Sequence, residues 1–201
     1  MLHRMRLATT LLALALPGAL LAQTAEIGLH GGAHRVGNAS LGRFPDGPSI
    51  DLDSSWLFGF HLALNNYRFF GHEVGYTYNR TNWLQSERGA GVGQAGTAIH
   101  RGTYNFVVHA TPEGTAVRPY VGAGGHFQNF VFPGYSGVSG GGSTKFGINY
   151  GGGLKFRVSP VLGLRFDVHD YRTAKPFNSL FTDRSGMVRQ MQFSIGFSLL
   201  L

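Results

Sequence analysis

The residues in this chain best suited to chemistry are charged groups at alternate positions of apolar-faced segments. Glu73, Arg101, Lys155, Arg165, Asp167 and His30 all carry the polar parity of such segments. Glu73, Arg165 and Asp167 are expected near mid-height, with Arg101, Lys155 and His30 within reach. Buried charges must be paired, so the spacing predicts an ion-paired network that fixes register and plugs an interior. A gated ion path is the alternative use of the same groups. His30, His34, His61, His109, His126 and His169 share that parity. A metal needs convergent ligands, and His30 and His34, four apart on a strand, are too distant to chelate together. Hydrogen bonding is therefore expected of the histidines, with no metal and no cofactor. Nucleophilic catalysis needs a base beside a serine. The segment His126-Phe127-Gln128-Asn129 has no serine, and His169 and Asp170 point to opposite faces of a strand. No catalytic residue is assigned. The glycine strings at 122–125 and 151–153 lack the lysine and helix of a phosphate loop and fit a close approach in a strand wall.

Period-two patterning supplies the elements that must position these groups. Eight strands are predicted, at 26–35, 54–65, 69–80, 95–110, 117–130, 143–158, 161–172 and 187–201. One face of each is apolar: Trp56, Phe58, Phe60, Leu62 and Leu64 on the second; Tyr104, Phe106 and Val108 on the fourth; Phe146, Ile148, Tyr150, Leu154 and Phe156 on the sixth. The other faces carry the charges and histidines. Eight apolar faces hold more aromatic volume than a small barrel interior can take. Turning them toward lipid and the polar faces toward a lumen resolves the conflict. Trp56, Tyr76, Tyr78 and Tyr104 then form one interfacial girdle, and Tyr67, Phe69, Phe70 and Phe156 the other. Connections alternate. Long loops are predicted at 36–53, 81–94, 131–142 and 173–186, and short turns at 66–68, 111–116 and 159–160. In transmembrane barrels the short turns are periplasmic and the long loops extracellular.

The first 22 residues are expected to be an export signal. His3, Arg4 and Arg6 give a basic start, an apolar run follows, and Pro17 and Gly18 break it. Cleavage is placed between Ala22 and Gln23, with a bond after Ala25 as the alternative, leaving residues 23–201 as one β-barrel domain. The chain has 31 glycines and no cysteine, so disulfides and thiolate metal sites are excluded. Its formal charge of +7 drops to about +5 without the signal arginines. The basic residues are scattered rather than clustered with stacking aromatics, which argues against nucleic acid.

The last strand carries Phe193, Ile195, Phe197, Leu199 and Leu201 on one face up to the final residue. Soluble domains seldom keep a terminal strand so apolar, whereas a transmembrane barrel must close its last strand on its first. The segments 119–126, 147–156 and 163–171, with Gly147-Ile-Asn-Tyr-Gly-Gly-Gly-Leu-Lys-Phe156 the clearest, resemble the small outer-membrane β-barrel domain family, the OmpA/OmpX-like set. The resemblance implies an all-β, eight-stranded antiparallel up-and-down transmembrane β-barrel in the outer membrane of a Gram-negative cell. It also implies insertion by the barrel-assembly machinery, with the last strand as the assembly signal. The expected role is structural or surface-interacting. Outer-membrane lipid surrounds a monomer, and a surface ligand meets the four long loops. The alternatives are a lipid-modifying enzyme, a narrow pore and a soluble lipocalin-like carrier.

Overall fold

The alternation resolves into ten antiparallel strands in the computed structural model, which describes residues 24–38, 40–43, 45, 47–86, 93–131, 142–177, 181 and 186–201. They are β1 (Thr24–Asn38), β2 (Ser40–Arg43), β3 (Ser49–Leu52), β4 (Ser55–Tyr67), β5 (Phe70–Ser86), β6 (Gly93–His109), β7 (Val117–Phe130), β8 (Ser143–Arg157), β9 (Leu162–Ala174) and β10 (Met187–Leu200). Eight of them form a closed barrel in the order β1-β4-β5-β6-β7-β8-β9-β10, and β10 returns to β1. Along the closing seam Glu26 pairs with Leu200 and His34 with Gln192. A Cβ at Gly32 would lie 1.9 Å from the carbonyl oxygen of Phe193, and one at Gly196 2.4 Å from that of Leu29. Only glycine allows this approach.

Phe58, Phe60, Leu62, Val74, Tyr104, Phe106, Ile148, Phe166 and Ile195 all lie on the outer wall and are 42–58% exposed. Glu26, His61, Glu73, Arg101, Asn149 and Arg165 face the interior and are at most 8% exposed. This is the reverse of a soluble carrier barrel, and it fits lipid outside with polar groups within.

Three sequence expectations change. First, residues 36–53 are not a free loop. β2 and β3 form a hairpin that prolongs β1 and β4, with β3 paired to the upper end of β5. A register irregularity between Val36 and Asn38 interrupts the upper end of β1. Between β3 and β4, at Asp53 and Ser54, the pairing partner on β5 slips by one residue. Asp53 is held there by its own N–H to the Asn82 carbonyl (3.0 Å) and by the Thr81 hydroxyl donating to the Asp53 carbonyl (2.6 Å). Each irregularity re-phases the alternation. Second, most of 81–94 is strand, since β5 and β6 pair as far as Gln85 and Gly93. Third, the interior is not polar throughout. Leu41, Ile50, Leu52, Trp83, Ile99, Phe130, Phe177, Phe181 and Val188 form a buried apolar cluster inside the extracellular end.

The polarity of the two faces is exchanged towards the upper ends of β5 and β10 while the side-chain parity is kept. On β5 the outward series Val74, Tyr76, Tyr78 becomes Arg80, Asn82, while the inward series Glu73, Thr77, Thr81 becomes Trp83. On β10 the outward series Ile195, Phe193, Met191 becomes Arg189, while Ser194, Gln192, Gln190 becomes Val188. The outer wall turns polar where the interior turns apolar. Such an exchange is what a barrel wall passing from lipid into water requires.

Candidate functional site

The lumen is built in tiers. At the periplasmic mouth, Lys155 on β8 donates to Glu26 on β1 at 2.8 Å, and Asn65 donates to the same carboxylate at 3.2 Å. One tier up, Arg165 on β9 donates to Glu73 on β5 (2.8 and 3.3 Å) and to Asp167 (2.7 Å). The Tyr120 hydroxyl donates to Asp167 and accepts from Arg165. One guanidinium thus holds two carboxylates and a phenol, all buried. Beside it the His61 ring meets the Ser198 hydroxyl at 3.2 Å, and His30 reaches Thr77 at 3.4 Å.

Arg101 stands apart from this cluster. It donates from Nε and Nη2 to Gln128 (3.2 and 2.9 Å), from Nη1 to Gln192 (3.0 Å) and from Nη2 to Gln190. Its guanidinium lies 3.8 Å from the centre of the Tyr171 ring. The expectation that it joins the carboxylates is corrected. On β6 it pairs across to Gln128, a tier above Glu73, whose own cross-strand partner is Asn105. Amide oxygens and an aromatic face solvate the cation in place of a carboxylate. The predicted residues therefore divide: Lys155 binds Glu26, Arg165 binds Glu73 and Asp167, His30 packs against His61 (ring centres 5.9 Å apart), and Arg101 belongs to a glutamine cage.

Above the glutamine tier sits the apolar cap. Trp83 packs edge-on to Phe177 (5.2 Å) and against Phe181 (6.1 Å), with Leu41, Ile50 and Val188 fully buried beside them. Below, the lumen holds two small voids. One of about 20 Å³ lies between Glu73, His169 and Ser194, with room for about one water molecule. The other, about 70 Å³, opens at the periplasmic mouth between Arg118, Lys155 and Ser198. Among the described residues no three His, Asp or Glu side chains are grouped as metal ligands.

The sequence matches the outer membrane protein beta-barrel domain family over residues 8–199. The chain belongs to that family. Solved structures share the fold at low identity. Pseudomonas aeruginosa OprG is 14% identical with a TM-score of 0.62, over 88% of this chain and 96% of that one. The N-terminal barrel domain of OprF from the same organism is 15% identical with a TM-score of 0.52, over 89% and 97%. Yersinia pestis Ail, solved with the heparin analogue sucrose octasulfate, is 17% identical with a TM-score of 0.50, over 90% and 100%. No curated protein sequence matches the chain. The protein is an outer-membrane β-barrel, so the outer wall faces lipid.

Phe193, Ile195, Phe197, Leu199 and Leu201 lie on that wall, 40–60% exposed. The export signal expected at 1–22 and its expected cleavage pair, Ala22 and Gln23, fall outside the described residues, as does the Tyr67 side chain. The sequence places Tyr120 and Gln128 on the polar face of their strand without assigning them to the network, and sequence reasoning missed Ser198, Gln190, Gln192 and the cap. Gln190 and Gln192 stand on the inward parity of β10, and Trp83 on that of β5, so the pattern carried a trace of each.

Proposed function

We propose that this protein is a closed scaffold in the outer membrane that acts through its extracellular face. The observation carrying this reading is the apolar cap stacked on the glutamine tier and the Arg165 network. Among the described residues these two plugs of opposite chemistry stand in series, which supports a lumen closed to ions. The hairpin formed by β2 and β3 is packed into the cap, so its outer surface is held rigidly for contact with a partner. The chain acts as a monomer, is inserted by the assembly machinery, and is cleaved between Ala22 and Gln23.

The reading includes no enzymatic role. The His61–Ser198 pair resembles a base and nucleophile, but the mouth cavity that Ser198 lines is about 70 Å³. Ligand sites usually offer several hundred Å³. Because Ail was captured with a heparin analogue, a sulfated glycan is the first surface ligand to test. Cells displaying the protein are compared with cells carrying a variant whose β2–β3 hairpin is shortened by removing 41–50. Binding of heparin-class glycans or host-cell surfaces that falls in the variant supports the reading. Equal binding by both would remove the hairpin from it.

A further inference from the structure

We infer that the outer wall across β8, β9, β10 and β1 is a binding site for a phosphorylated glycolipid of the outer leaflet. Arginine forks above would hold the headgroup phosphate, and a groove below would take an acyl chain. Arg172 and Arg189 are directly opposite each other in the β9–β10 ladder and both point outward. Like charges so placed repel, yet the fold holds them together through Asp170. That carboxylate accepts from Arg189 Nε at 2.6 Å and faces Arg172 Nε at 3.5 Å. Its side chain is 8% exposed despite its outward parity, because the two arginines, 43% and 50% exposed, cover it. The Tyr150 hydroxyl accepts from Arg172 Nη2 at 2.8 Å and steadies that fork. Arg35 on β1 pairs with Met191, one outward step below Arg189, and is exposed. Two arginines thus share one carboxylate, with the exposed Arg35 on the next strand adding a further positive charge. Among the described residues no protein acceptor meets the Nη groups of Arg189.

The second observation is independent. Directly beneath the arginines, on the same strands, lies an apolar groove of about 480 Å³ walled by Leu154, Phe166, Val168, Phe193 and Ile195 over Gly152. Val168 pairs with Gly152 on one side and Phe193 on the other, so the missing side chain at 152 opens the floor. The arginines sit at the level where the outer wall turns polar, which is headgroup height, and the groove runs into the hydrocarbon layer. A phosphate monoester offers oxygens for paired guanidinium donors, and cations at this height favour anionic headgroups. The inference rests on the outer-membrane orientation, and not on whether the lumen is closed or what the extracellular face binds.

The full chain, refolded in micelles, is titrated with bis-phosphorylated lipid A, with its dephosphorylated form, and with phosphatidylglycerol. Bound lipid is counted by native mass spectrometry, and folding of each variant is checked by heat-modifiable mobility. One lipid A per barrel is expected. Retention should fall at least tenfold on dephosphorylation and in R172Q/R189Q, whereas R68Q, at the opposite end, keeps it. V168W, which fills the groove from the lipid side, should also lower retention. Equal binding of dephosphorylated lipid, or unchanged binding by R172Q/R189Q, would overturn the site. Arginine-dependent retention of phosphatidylglycerol as strong as that of lipid A would overturn lipid A as its occupant.

Discussion

Replacing Arg165 with methionine removes the most connected charge in the lumen. Arg165 donates to both oxygens of Glu73, to Asp167 and to the Tyr120 hydroxyl, and it is 3% exposed. The variant keeps an unbranched apolar stem but removes the guanidinium, leaving two buried carboxylates close together with no cation. Breaking a buried pair in this way costs about 3–5 kcal/mol, roughly a hundredfold to several thousandfold in the folded ratio. With a urea dependence near 2 kcal/mol per molar, the unfolding midpoint falls by about 1.5–2.5 M. The assay is urea unfolding in lipid vesicles, followed by tryptophan fluorescence and heat-modifiable mobility. A triple variant, E73Q/R165M/D167N, removes all three charges and should recover most of the loss, because a neutral substitute for a buried ion pair is often no less stable. A single variant within about 1 kcal/mol of the parent, or a triple variant as weak as the single, would refute the reasoning.

Further outcomes follow from the same geometry. W83A should destabilise the barrel by about 3–5 kcal/mol, a buried aromatic truncation, while leaving membrane insertion intact in fractionated cells. G196V drives a side chain into the Leu29 carbonyl at the closing seam and should yield no compact, heat-modifiable form, whereas G31A, whose nearest neighbour would be 3.6 Å away, should fold. Removing 197–201 deletes the outward Phe197 and Leu199 and the pairing of β10 with Glu26 through Leu29; the product should remain unassembled when membranes are separated. Because the chain lacks cysteine, single-cysteine labelling is clean: R43C should react with an impermeant maleimide on intact cells, and F166C should not.

The barrel was legible in the sequence wherever both faces of a strand keep one character. Lys155, Arg165 and Asp167 alternate with Leu154, Phe156 and Phe166, and their inward placement can be read directly. The extracellular end was not legible for two physical reasons. The irregularities at 36–38 and at Asp53–Ser54 shift the phase, so Leu41, Ile50 and Leu52 look out of step with β1 and β4. Above the membrane the outward residues turn polar, so the run from Thr81 to Gln85 reads as loop although it is strand. The contacts of the candidate site were hidden differently. His61 meets Ser198 across 137 positions and Arg101 meets Gln192 across 91. Such pairs become visible only when the stagger of the closed barrel is known.

The central claim is that the lumen is sealed twice, by charge below and by an apolar cap above. Planar-bilayer recording of the refolded full chain tests it most directly. The account predicts a quiet trace for inserted, heat-modifiable protein across the usual voltage range. Stable, repeated conductance steps from the same preparation would contradict it.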